Sequence, residues 1–87
     1  MSQNEKLLLA LLSGKSDSSF PFSDLRKALE ILGGICRIRG DHFIYSFAGI
    51  QRAINIQPLP GGKSKPYQVR QVREFIIEYG LGGAFLA

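Results

Sequence analysis

Between residues 35 and 57 apolar and polar side chains alternate with a period of two, interrupted by two short glycine-containing breaks. That repeat belongs to a β-strand, whose successive side chains point to opposite faces. The spacing predicts strands over Ile35–Arg39, His42–Phe47 and Arg52–Gln57, with turns at Gly40-Asp41 and Ala48-Gly49. Connections this short join antiparallel neighbours only, so the segment reads as a three-stranded meander. In the second strand Phe43, Tyr45 and Phe47 share one face, and His42, Ile44 and Ser46 share the other. In the first strand Cys36 and Ile38 oppose Arg37 and Arg39, and in the third Ile54 and Ile56 lie together.

The flanking segments switch to a helical period. A first helix, over about residues 4–12, carries Leu7, Leu8, Leu11 and Leu12 as one stripe. A second begins near Ser23, which reads as its N-cap, with Asp24 in the first turn. Its apolar face is Leu25, Ala28, Leu29 and Leu32, and Gly33-Gly34 ends it. After a loop over Pro58–Pro66, a last helix starts at Pro66 and presents Val69, Val72, Phe75, Ile76 and Tyr79. The predicted fold class is α+β: two layers, with the last two helices covering one face of an antiparallel sheet. The 87 residues form one domain, with an N-terminal helix and linker over 1–19, a core over 20–81 and a tail over 82–87. Ser13–Ser19 reads as the linker, and the apolar tail is expected to be partly ordered or to cover a neighbouring chain.

Composition narrows the chemistry. One cysteine permits no intrachain disulfide, which points to a reducing, cytoplasmic setting. One histidine with no soft ligand near it argues against a closed zinc site. A domain of this size has no room for a large enclosed cofactor pocket, so no cofactor is expected, and the single acid among residues 35–73 argues against a metal requirement. The longest apolar run, Leu7–Leu12, has six residues where a membrane span needs about 20, and Glu5 spoils a signal-peptide reading.

The net charge of +4 is unevenly spread. Residues 35–73 hold seven basic side chains and one acid, a net +6, which leaves −2 for the rest. A basic sheet followed by a basic helix start suits a phosphate backbone. Gly61-Gly62-Lys63-Ser64-Lys65-Pro66 places two lysines and two glycines before a helix N-terminus, where an anion is favoured. It lacks the first glycine of an ATP-binding phosphate loop. His42, flanked by Arg39 and Asp41, is the side chain able to move protons near neutral pH without a large shift. Cys36 and Tyr45 read as core residues.

Two stretches resemble the HicA family of toxins. Arg37-Ile38-Arg39-Gly40-Asp41-His42-Phe43-Ile44-Tyr45 is similar to the family's Gly-Ser-His-His strand motif. Asn55-Ile56-Gln57-Pro58, followed by Gly61-Gly62-Lys63-Ser64-Lys65-Pro66-Tyr67-Gln68-Val69-Arg70-Gln71-Val72-Arg73, is similar to its second signature. Asp41 stands where the motif has serine, and Phe43 where it has a second histidine. The resemblance spans about residues 23–81. It implies a double-stranded-RNA-binding-like α-β-β-β-α unit with the first helix as an addition. It also implies a metal-independent endoribonuclease that cleaves mRNA and is neutralised by a HicB-like antitoxin. In that reading His42 is catalytic, and Arg37, Arg39, Lys63, Lys65 and Arg70 bind RNA. Two other readings stand beside it: a non-catalytic RNA-binding module of the same fold, and a protein-interaction domain.

Overall fold

A computed structural model, which describes residues 2–83, forms the expected meander from β1 (Ile35–Arg39), β2 (His42–Phe47) and β3 (Ile50–Ile56). The sheet is antiparallel in the order β1-β2-β3. The first two strands have the bounds that alternation predicts. The third starts earlier, at Ile50, which pairs with Phe47 across a register shift that follows Tyr45. It also stops earlier: the Gln57 amide leaves the strand ladder and donates to the Gln68 side chain at 2.9 Å.

Three helices complete the α+β fold: α1 (Gln3–Ser13), α2 (Phe22–Ile31) and α3 (Pro66–Glu78). The sequence Ser2-Gln3-Asn4-Glu5 starts α1 with a reciprocal cap. The Glu5 amide donates to Ser2 Oγ at 3.1 Å, and the Ser2 amide donates to Glu5 Oε1 at 3.2 Å. Ser23 is not the cap of α2 but lies inside its first turn, and Pro21 takes the cap position without a side-chain bond. The reason lies far along the chain. The Phe22 amide donates to the Gly62 carbonyl at 2.9 Å, so a backbone group does the work expected of the Ser23 hydroxyl.

The inner face of the sheet packs on α2 and α3. Phe22 of α2 meets Phe43 edge-on at 5.2 Å between ring centroids, and Phe75 of α3 meets Phe47 at 5.4 Å. Leu25, Leu29, Tyr45, Ile54, Ile56, Val69, Val72 and Phe75 are buried among them. Leu8 and Leu11 of α1 belong to the same core, each contributing about 2 kcal/mol by burial. The main contacts of α1 are with α2 and with α3.

Ser13–Ser19 is more than a spacer. It contains a short 3-10 turn, Asp17–Ser19, which Asp17 fastens to Arg73 of α3. At the other end of α2, Gly34 allows a close crossing. A Cβ there would come within 2.8 Å of the Leu29 carbonyl oxygen and 2.9 Å of Phe47 Cζ. One inward-facing expectation fails. Ile38 shares the inner face through its pairing with Phe43, yet it is 55% exposed, because the helical layer stops short of the outer end of β1. Cys36 on the same strand is half-buried against the core. Of the tail, residues 84–87 lie outside the described residues; Leu81 packs on the core. Among the described residues no helix is long and apolar enough to cross a membrane.

Candidate nucleic-acid interface

The outer face of the sheet carries the polar half of the alternation. Strand register sets Arg39 opposite His42 and Arg37 opposite Ile44, with Asn55 of β3 across from Ile44 on the other side. Arg37, Arg39, His42 and Asn55 are all exposed. His42 opens β2 directly after the Gly40 turn, where a positive φ of 60° reverses the chain. Its side chain is 47% exposed.

Three groups surround the His42 ring. Nδ1 lies 3.2 Å from Asn55 Oδ1, and Nε2 lies 3.5 Å from Gln57 Nε2. Asp41 Oδ1 is 3.8 Å from Nε2. Gln57 is the hub of this cluster. Its Nε2 donates to Asp41 Oδ2 at 2.9 Å, and its Oε1 accepts from Lys65 Nζ at 2.8 Å. The buried Gln68 of α3 accepts from the Gln57 backbone amide and so ties the end of β3 to the helix. The hydrogen bond from Gln57 holds the Asp41 carboxyl below its ordinary range, helped by His42 and Lys65 nearby. Lys65 thus reaches the histidine from the N-cap position of α3, through one glutamine.

The glycine loop has a different role from the one its composition suggests. The Gly62 amide donates to the Leu59 carbonyl at 3.2 Å, and the Ser64 amide to the Phe20 carbonyl at 2.8 Å. With the Gly62 carbonyl capping Phe22, the loop clasps the start of α2. Two of its backbone amides are therefore used internally, and its anion-binding capacity rests on Lys63, which is exposed, and Lys65.

The basic segment divides once its side chains are placed. Arg37 and Arg39 stand on the outer face, Lys65 reaches it through Gln57, and Lys63 is exposed in the loop before α3. Arg70 does not join them. It lies two residues beyond Gln68, about 200° around the helix, and its charge acts on Asp17. Arg73 is occupied by Asp17, and Arg52 bonds Glu78 at 3.3 Å over the Phe75 ring. Tyr45 is a core residue, with Arg26 Nε donating to its hydroxyl at 3.0 Å and the hydroxyl donating to Glu30 at 2.8 Å. Burial pushes that hydroxyl far above its ordinary range.

Asn55, Gln57 and Gln68 were not singled out as site residues from the sequence. Amides carry no charge signature, but the alternation contains the signal. Position 43 pairs with position 56, so positions 55 and 57 share the outer face beside His42. Among the described residues no three His, Cys, Asp or Glu side chains group as metal ligands. A groove of about 310 Å³ is lined by Gln3, Lys6, Leu7, Ala10, Asp24 and Lys27, none of which belongs to this cluster. The candidate site is an open, cation-edged surface.

Comparison with protein-family models, curated proteins and solved structures finds no match to this chain.

Proposed function

We propose that this chain is an endoribonuclease toxin of HicA type, cleaving mRNA without a metal ion on a double-stranded-RNA-binding-like α-β-β-β-α scaffold. The observation that carries the reading is the position of His42: half exposed on an open sheet face, with Arg37, Arg39 and the Gln57-bound Lys65 around it. RNA supplies its own nucleophile, the 2′-hydroxyl. A base that removes its proton lets the oxygen attack the adjacent phosphorus. A cyclic 2′,3′-phosphate forms, and the 5′-oxygen leaves with a proton. An open surface is sufficient for a substrate that brings both nucleophile and leaving group.

His42 is the base for the first proton or the acid for the last. Lys65, Lys63, Arg37 and Arg39 hold the phosphate and offset its growing charge. Arg70 is exposed on α3, about 200° around the helix from Gln68, and lies apart from the Gln57 cluster. The Asp41 carboxylate accepts from Gln57 through Oδ2 while its Oδ1 stays 3.8 Å from His42 Nε2. A HicB-like antitoxin neutralises the toxin by covering this face.

The test is cleavage of a defined transcript in excess chelator by wild-type and His42→Ala protein. Loss of about 100-fold or more in rate is the expected result. An alanine variant that cuts as fast as wild type overturns the assignment. Binding without cleavage, steeply weakened by salt, assigns the chain instead to a non-catalytic RNA-binding module.

A further inference from the structure

We infer that Gln57 sets the tautomer of His42, placing the ring proton on Nδ1 and leaving Nε2 as an unprotonated, outward-available base. The inference follows from which groups can only donate and which can only accept. Lysine has no acceptor, so the Gln57 atom 2.8 Å from Lys65 Nζ is the amide oxygen. A carboxylate has no proton to give, so the Gln57 atom 2.9 Å from Asp41 Oδ2 is the amide nitrogen. The orientation of Gln57 is thereby fixed at both ends, and no flip satisfies both neighbours.

That same nitrogen faces His42 Nε2 at 3.5 Å. One amide hydrogen serves Asp41 Oδ2 and the other points towards Nε2, while Asp41 Oδ1, 3.8 Å from Nε2, is too far to accept a hydrogen bond from it, so Nε2 carries no hydrogen of its own. The neutral ring therefore keeps its proton on Nδ1, which donates to Asn55 Oδ1 at 3.2 Å. The polarity runs one way along the chain of groups, from Lys65 through Gln57 and His42 to Asn55. The long contact to Nε2 is weak enough for an incoming hydroxyl to displace. Gln57 is accordingly a positioning residue. It selects which ring nitrogen meets the substrate without touching the reacting atoms.

The tautomer itself is independent of any activity; its catalytic use rests on the ribonuclease reading above. His42 is the one histidine in the sequence, so a tag-free, ¹⁵N-labelled protein gives a single imidazole signal set. The experiment is a long-range ¹H–¹⁵N spectrum at pH about 8, above the ordinary imidazole range. Wild type is expected to show a protonated Nδ1 and an unprotonated Nε2. Gln57→Glu, which places an acceptor against Nε2, is expected to move the proton to that nitrogen. Gln57→Leu is expected to give an averaged pair. A wild-type ring with its proton on Nε2, or a folded Gln57→Glu protein with an unchanged ring, overturns the inference.

Cleavage assays on the same samples separate the two proposals. Gln57→Leu is expected to lower kcat by about tenfold or more with little change in KM. If wild type shows the Nδ1–H ring and cuts no RNA, the tautomer assignment stands and the ribonuclease reading falls. If wild type cuts RNA with the opposite tautomer, the reverse holds.

Discussion

Arg73 grips Asp17 with both ends of its guanidinium, Nη1 to Oδ1 and Nη2 to Oδ2, each at 2.9 Å, and Nη1 also donates to the Leu11 carbonyl at 3.1 Å. One side chain of α3 therefore holds the end of α1 and the turn that follows it. Both partners are only 17% exposed, so the pair is well shielded from water and salt.

Asp17→Asn is expected to cost about 2 kcal/mol at neutral pH, read from urea unfolding. Arg73 holds the Asp17 carboxyl below its ordinary value of 3.8, through its hydrogen bonds first. A depressed folded-state pKa gives stability that is present above the unfolded value and lost as pH falls through the folded one. The gap between wild type and Asp17→Asn should therefore close below pH 3.8. A gap that is constant with pH would rule out the ion pair as its source.

Gly34→Ala is expected to cost about 3 kcal/mol, because its new Cβ meets the Leu29 carbonyl oxygen and the Phe47 ring, neither free to move. Gly33→Ala provides the contrast. Its φ is +98° but no atom lies within 4 Å of the added carbon, so only backbone strain of about 1 kcal/mol applies. Thermal unfolding of the two variants should rank them in that order.

Ser64 is 1% exposed, and its hydroxyl has no hydrogen-bond partner among the described residues. Ser64→Ala is expected to raise stability by about 1 kcal/mol, since it removes an unpaired buried polar group. A loss of more than that amount would show that the hydroxyl has a partner in solution.

For RNA binding, Arg37→Ala and Arg39→Ala should each reduce the slope of log affinity against log salt by about one. Arg70→Ala should change the slope less, because Arg70 lies about 200° around α3 from Gln68, away from the Gln57 cluster. Titration of a labelled transcript over a salt series reads all three.

Local rules explain why the strands were legible in the sequence. Side-chain alternation and the turn glycines act within a few residues, and both ends of β1 and β2 follow from them. Pro66 marked the start of α3 in the same way. The departures share a different origin. Ser23 lost its capping role to a carbonyl 39 positions away in sequence, at Gly62. Arg73 looked like part of one basic segment, but the helical turn aimed it at Asp17. Charge along the chain is countable in advance, whereas the partner of each charge depends on tertiary packing. His42 stood out by its residue type, while Asn55 and Gln57 gain meaning only when strand register sets them beside it.

Among the described residues β1 pairs only with β2, and its outer edge has no neighbouring strand. An open edge with exposed Ile35 and Ile38 is a template for a second copy to add to. Arg37 and Arg39, interleaved with those isoleucines, oppose such growth by bringing like charges together. A polyanion laid across the arginines would cancel that repulsion. Masking the charge of Arg37 and Arg39 would remove one barrier to edge-to-edge pairing at β1.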